Sequence, residues 1–368
     1  MDHRPVEPSI TELLYREASE KRIPLSGTFE LTPLCNMDCK MCYVRMSRKE
    51  QEAIAPLRSA KEWIDLGKRL SEAGMLYLLL TGGEPLTHPE FPRILRGLSA
   101  QGLVLSLNTN GTLLTPEAVS LLRECGVMRV SVSLYGMTEK AYRDLCGDAS
   151  CLEKALRGIA LLKEAGIGVK LNFSTTPQNK DELPLVAEYA RKENLVLQVA
   201  SYMFPPLRSD GEGIGRGNRL SPEEAAFYCA YADLLTLGKE RFLAFDTEHF
   251  APPSDEVCTT PDGVRCRAGK CSFWVTWQGI LTPCGMFPAK GENVFEAPFL
   301  PAWERLVGQV EGIRLPAKCA ACGIRGTCRA CAATVLTESG DFSRVPEYRC
   351  RMMQAYPAAW KQIKEKFL

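Results

Sequence analysis

Three cysteines fall within eight residues of the segment LTPLCNMDCKMCY, residues 31–43: Cys35, Cys39 and Cys42. The C-x3-C-x2-C spacing gathers three thiolates on one tight loop. A four-iron cluster usually takes four thiolates, so three leave one iron with a free position, much as a catalytic zinc keeps an open site. The other readings of these residues are a zinc site completed from elsewhere and a chance cluster. A second group lies near the end of the chain. CAACGIRGTCRAC, residues 319–331, carries Cys319, Cys322, Cys328 and Cys331; Cys266, Cys271 and Cys284 precede it and Cys350 follows. A zinc ribbon separates its two CxxC knuckles by ~15–20 residues, whereas here only five residues lie between them. Eight thiolates suit two fully ligated four-iron clusters, with zinc as the alternative.

Composition narrows the chemistry. Against sixteen cysteines there are three histidines, His3, His88 and His249, so mixed Cys/His zinc sites are mostly excluded. The N-terminal stretch MDHRPVEPSITELLYREASEKR is charged throughout and lacks an apolar signal core. No apolar run approaches the ~20 residues of a membrane span. These features predict a cytoplasmic protein, where metal binding explains many cysteines better than disulfides do. A net charge of +1 argues against a nucleic-acid surface or a polybasic membrane patch. With 45% apolar residues the chain can bury a sizeable core, enough for one large domain and a smaller one.

The elements that must position these residues alternate in type. Strand patterns at SGTFELT, MLYLLLT, LVLSLNT, MRVSVSL, VKLNFST and LVLQVAS are separated by helical patterns near 59–73, 89–100, 116 onward, 151–165 and 180–193. Thr115 and Pro116 can start one helix as cap and first residue; Ser221 and Pro222 can start another over 221–238. Six strands alternating with helices predict parallel βα units in an open or closed barrel. Functional sites of such sheets lie at the C-terminal strand ends. The three-cysteine loop follows the first strand, TGGEP (81–85) the second and NTNG (108–111) the third, so all three share one face. Gly82 and Gly83 allow close backbone approach to a ligand, with Glu84 and Pro85 beside them. From Cys258 onward regular periodicity fades, which predicts a small domain held by metal rather than by core.

CNMDCKMC followed by GGEP resembles the radical S-adenosylmethionine (SAM) superfamily. The resemblance implies an α/β fold, a partial (β/α)6 barrel, with a SAM-binding four-iron cluster on Cys35, Cys39 and Cys42. An electron from that cluster cleaves SAM, and a 5′-deoxyadenosyl radical abstracts hydrogen from the substrate. It implies SAM contacts from Gly82, Gly83, Glu84 and Pro85. SVSLYGMTEKAYRDLCG resembles a stretch whose Ser and Arg hold the SAM carboxylate and ribose, which maps to Ser133 and Arg143, with Tyr135 in place of the usual Asp; the other reading of Arg143 is a surface helix charge. Asn108 and Asn110 are ribose contacts on the same reading, and Met41 or Tyr43 covers the adenine. The terminal cysteines resemble the SPASM domain of radical SAM peptide maturases: a Cys, a Gly-x4-Cys (Gly279, Cys284), a CxxC-x5-C-x3-C and a final Cys. Here the last spacing of the third element is two residues rather than three. By analogy one auxiliary cluster takes Cys266, Cys271, Cys284 and Cys331, the other Cys319, Cys322, Cys328 and Cys350. The organisation implied is an N-terminal extension (1–25), a radical SAM partial barrel (26–202), a linker (203–257) and a small, cysteine-rich SPASM domain (258–368). Cys125, Cys146, Cys151, Cys229 and Cys258 remain, as buried apolar residues; Cys146 and Cys258, in loop-like stretches, are candidates to donate a hydrogen atom.

The resemblance implies a radical SAM oxidoreductase that oxidises or cross-links a peptide or small-protein substrate. Its partners would be an external electron donor, flavodoxin or ferredoxin; about 25 residues before the first strand are too few for a leader-binding domain, so a peptide leader would be recognised by the barrel, by the Gly/Pro/Arg-rich stretch 203–220 or by a separate leader-binding protein. Sulfatase maturation, which makes formylglycine, is disfavoured: the Asp that serves those enzymes as base is Gly285 here. A small-molecule substrate such as a sugar or tetrapyrrole is the alternative. The non-enzyme alternatives are an iron–sulfur electron carrier and a zinc-stabilised binding module, neither of which needs a GGEP turn on a large barrel.

Overall fold

The computed structural model describes residues 9–205, 218–244, 263–288, 290–324, 328 and 331–368. Six parallel strands form where the sequence alternates: β1 (Ser26–Glu30), β2 (Tyr77–Thr81), β3 (Val104–Thr109), β4 (Arg129–Ser133), β5 (Gly168–Ser174) and β6 (Val196–Ala200). In β1 to β5 alternate residues, among them Phe29, Leu80, Leu107, Val132, Leu171 and Phe173, are buried in the core shared with the helices, whereas no residue of β6 is fully buried. The intervening residues are mostly polar and face a lumen. Such a period of two is what a strand with two unlike faces requires. The sheet runs in the order β6-β5-β4-β3-β2-β1, with β6 at one end, so the barrel is partial.

Around it pack α1 (Ile10–Lys21), α2 (Arg48–Ile54), α3 (Ala60–Glu72), α4 (Phe91–Ser99), α5 (Pro116–Glu124), α6 (Glu139–Cys146), α7 (Cys151–Glu164) and α8 (Leu183–Lys192). Thr115 caps α5 through Ala118 N–H, with Pro116 in the first turn. The helix expected over 180–193 is a 3-10 turn, Lys180–Glu182, followed by α8. Pro184 is the reason: it lacks an N–H and fits only the first turn of a helix, so α8 starts at Leu183. Helices α1, α2 and α6 were not anticipated, although Ser9 and Ser47 each close a capping box that the sequence displays.

Past residue 205 come α9 (Pro222–Leu237), capped by Ser221 as expected, and α10 (Lys239–Ala244). The expected linker, 203–257, lies partly outside the described residues. Strand β7 (Ser272–Val275) then pairs in parallel with β1, Thr28 opposite Trp274, and β8 (Leu281–Thr282) pairs antiparallel with β7. Helices α11 (Phe299–Gly312), α12 (Ala317–Ala320), α13 (Ala332–Ser339) and α14 (Glu347–Phe367) complete the fold. The expectation of a metal-held region without core is corrected here. Met352, Met353, Tyr356, Ala359 and Ile363 of α14 pack on Ala225, Ala226, Ala230 and Leu234 of α9. Phe299 and Trp303 of α11 join the core beneath β1 and β7. Among the described residues no helix is long and apolar enough to cross a membrane.

Candidate active site

The cysteine loop leaves β1 at its C-terminal end and is held in shape by its own backbone. Lys40 N–H donates to Leu145 C=O (3.0 Å) and Asp38 N–H to Cys146 C=O (3.4 Å), which lashes the loop to the end of α6. Met37 N–H points at Cys35 Sγ (3.4 Å) and Arg45 N–H at Cys42 Sγ (3.3 Å). Such N–H donors favour thiolate over thiol. Burial outweighs them. It pushes the Cys35 thiol up to about 12 and raises Cys42. Cys39 is raised by a hydrogen bond with the Cys146 thiol first and by burial second.

The GGEP turn lies against the start of this loop. Gly83 N–H donates to Thr32 C=O (2.7 Å) and Glu84 N–H to Leu34 C=O (2.8 Å). A Cβ on Gly82 would stand 2.5 Å from Thr32 O, and one on Gly83 2.4 Å from Leu34 O. The glycines are thus needed for contact with the chain itself as well as for facing the cavity. Glu84 is fully buried. Its carboxylate accepts from the Thr109 hydroxyl (2.9 Å) and from the N–H groups of Asn110 (2.8 Å) and Leu86 (3.1 Å). Burial nevertheless lifts it to about 7. Glu84 therefore ties the ends of β2 and β3 together, and it does not line the cavity. Pro85 opens a short 3-10 turn, buried behind it.

A cavity of about 760 Å³ runs from the cysteine loop down the barrel lumen. Cys35, Cys39, Cys42, Gly82, Gly83, Asn108 and Ser133 all line it, as do Met41, Tyr43 and Tyr135. Asn110 Nδ2 reaches Asn36 Oδ1 (2.9 Å) and lies 3.7 Å from Cys35 Sγ. Arg143 is a correction. It is exposed on α6, ion-paired with Glu139 one turn earlier (3.8 Å), and is not among the residues lining the cavity. The cations that do line the cavity are Arg129 and Lys170, which the sequence reading missed. The signal was present in RVSVS and GVKLNFS, where a polar residue recurs at every second position of a strand.

Among the described residues no three His, Cys, Asp or Glu side chains close on a single point; the terminal cysteines form neighbourhoods. Cys266, Cys284 and Cys331 feel one another electrostatically. Cys328 in turn feels Cys319, Cys322 and Cys350. Cys271 stands apart from the first group: fully buried before β7, its Sγ lies 3.0 Å from Ser19 Oγ of α1. Cys146, expected in a loop, ends α6, buried at the Cys39 thiol. Cys125 and Cys151 are buried and Cys229 half-buried. Cys258, His3 and His249 lie outside the described residues. His88 is buried, with Nε2 3.1 Å from Arg58 C=O, and is part of the scaffold.

Residues 29–190 match the radical SAM superfamily. The chain carries a radical SAM domain. Among its relatives is the AdoMet-dependent heme synthase of Methanosarcina barkeri, 28% identical over 340 residues, covering 87% of this chain and 94% of that one. The mycofactocin maturase MftC of Mycobacterium tuberculosis is 26% identical over 314 residues, covering 83% and 77%. The crystal structure of Streptococcus suis SuiB bound to S-adenosylmethionine superposes with a TM-score of 0.67 at 18% identity, over 86% of this chain and 75% of that one. The α/β fold is thus that of SPASM-type radical SAM enzymes, a partial parallel barrel followed by a cysteine-rich region. The radical SAM family implies a four-iron cluster and SAM. The donor set fits both: three neighbouring soft sulfur donors, one short of a full set, open onto a cavity whose rim carries glycine backbone and amide and hydroxyl side chains.

Proposed function

We propose that this radical SAM enzyme oxidises a substrate held in the barrel lumen, and that the substrate is a small carboxylic acid of tetrapyrrole type. The observation that carries the chemistry is the three-thiol loop at the mouth of the lumen, packed on a GGEP turn. Cys35, Cys39 and Cys42 would hold the SAM-binding cluster. A cluster bound there would supply the reducing electron for SAM cleavage, and with it the radical chemistry that removes hydrogen from a substrate. Gly82, Gly83, Asn108 and Ser133 would bind SAM, with Glu84 and Pro85 fixing the turn that presents them. The two terminal cysteine groups would hold auxiliary clusters that accept an electron or bind substrate. An external flavodoxin or ferredoxin would supply the reducing electron.

Two observations support the small acid. Relatedness to a heme synthase extends over 94% of that enzyme, and among the described residues the cavity lining holds two cations and no carboxylate. The second reading is the peptide maturase. The 26% identity to a mycofactocin maturase favours it, and a separate leader-binding protein would then be a partner. Assays of SAM cleavage test the common part. Reduced with dithionite, the reconstituted chain should form 5′-deoxyadenosine, as should Cys125→Ala. Cys39→Ala should form none; formation at the wild-type rate would refute the assignment of the loop. Peptides co-expressed with the chain and weighed test the second reading, since peptide oxidation or cross-linking removes two hydrogens.

A further inference from the structure

We propose that Lys170 and Arg129, on the floor of the barrel lumen, form a carboxylate-binding subsite that anchors the substrate with its reactive end toward the cysteine loop. This rests on the reading of the lumen as the substrate site. Both residues line the same cavity as Cys35. Arg129 is the first residue of β4, and Lys170 lies on β5 opposite Ser131, so the two are diagonal neighbours on adjacent strands. Among the described residues neither cation faces a carboxylate. Burial, and then Arg129, lower the Lys170 pKa. Two like charges held side by side without a counterion repel each other, and an anion between them removes that cost.

The direction of Lys170 strengthens the case. Its register partner on β6 is Val196, yet its ammonium group hydrogen-bonds Gln198, two residues nearer the mouth. The charge therefore leans up the lumen toward the cysteines. Asn172, on the same face of β5, adds a buried side-chain oxygen with no hydrogen-bond partner. This oxygen accepts hydrogen bonds and so suits a donor on the ligand beside the carboxylate. From Lys170 to Ser174 at the mouth is four residues, about 13 Å along a strand. The SAM carboxylate would be bound near the cysteines, so the floor serves a different anion. A substrate with an acid group at one end spans this distance and leaves its other end at the mouth.

The test uses the full chain and two probes, an iron porphyrin tetracarboxylate and its tetramethyl ester, with binding read from porphyrin absorbance. The acid should bind at least about tenfold more tightly than the ester, the range of a charge-assisted hydrogen bond. Lys170→Gln should weaken the acid by about tenfold and leave the ester unchanged, while Lys170→Arg retains acid binding. Equal affinity for acid and ester, unchanged in Lys170→Gln, would overturn the subsite and leave the tetrapyrrole reading standing. A second measurement separates the opposite case. Protection of Lys170 from reductive methylation by a linear dicarboxylate, read by peptide mass, should occur in the wild type and be lost in Arg129→Gln. If neither porphyrin binds but the dicarboxylate protects Lys170, the subsite stands and the tetrapyrrole reading falls. If there is neither binding nor protection, both fall.

Discussion

Glu84 shows how one side chain in a recognisable motif can act behind the site rather than in it. Its carboxylate is fully buried and accepts from one hydroxyl and two backbone N–H groups, yet burial wins and lifts its pKa to about 7. The folded chain then binds a proton more tightly than the unfolded chain, whose carboxyl titrates near the ordinary value of 4.5. Stability should therefore fall as pH rises from about 4.5 to 7, by about 3 kcal/mol for this group. Denaturant unfolding of wild type and Glu84→Gln across that range should show the slope in the wild type and a flatter difference in the variant. Parallel slopes would mean that Glu84 stays ionised. Cys271 makes a similar point. Its match to a cluster pattern was legible, but its bond to Ser19 was not, because the two lie 252 residues apart. Iron analysis should find that Cys271→Ala keeps the wild-type content, while Cys284→Ala loses about four irons; equal losses would return Cys271 to the ligand set. Arg143 was legible only as a cation near the right motif. Helix phase points it outward, and the strand phase of Lys170 and Arg129 points them in.

The six βα units were legible because each strand carries a two-residue period and each helix a cap or breaker. Helix α14 was not, for a local reason. The buried residues 352, 353, 356, 359 and 363 recur at helical spacing, but Pro357 interrupts the run and Cys350 draws attention to ligation. Proline costs an interior helix about 3 kcal/mol, and packing on α9 offsets this. It follows that α14 should survive loss of metal. In hydrogen exchange on the apo protein, amides of 352–363 should stay protected while those of 316–322 exchange rapidly. Fast exchange in both would restore the view that metal alone holds this region. Ile363 is fully buried in the same contact, so Ile363→Ala should cost about 2–5 kcal/mol in apo-protein unfolding.

At the scale of the molecule, the decisive feature is that β1 is an interior strand. It carries the cysteine loop, with β2 on one side and β7 on the other. Strand β7 comes from beyond residue 262, so the barrel is not closed off by its own six strands. Three contacts make that seam a core. Gly27 faces the Phe273 ring so closely that a Cβ would stand 2.6 Å from it. Trp274 Nε1 donates to the buried Glu30 carboxylate at 3.0 Å. Trp63 of α3 meets Phe295 edge-on, with ring centroids 5.0 Å apart. None of this was legible in sequence, because parallel pairing between strands so far apart leaves no local pattern. A fragment of residues 1–205 would expose the backbone edge of β1 and the apolar faces of Phe29 and Trp63, conditions that favour association through the edge. The fragment should therefore be insoluble or melt without cooperativity, whereas the apo full chain should melt its barrel and β7 together. Thermal melts with light scattering check this. A monomeric fragment melting within about 2–4 °C of the full chain would show that the barrel holds its shape alone. The loss of β7 would then leave the geometry of Cys35, Cys39 and Cys42 intact, and SAM binding by the fragment would match that of the full chain. Under the seam described here it should be lost.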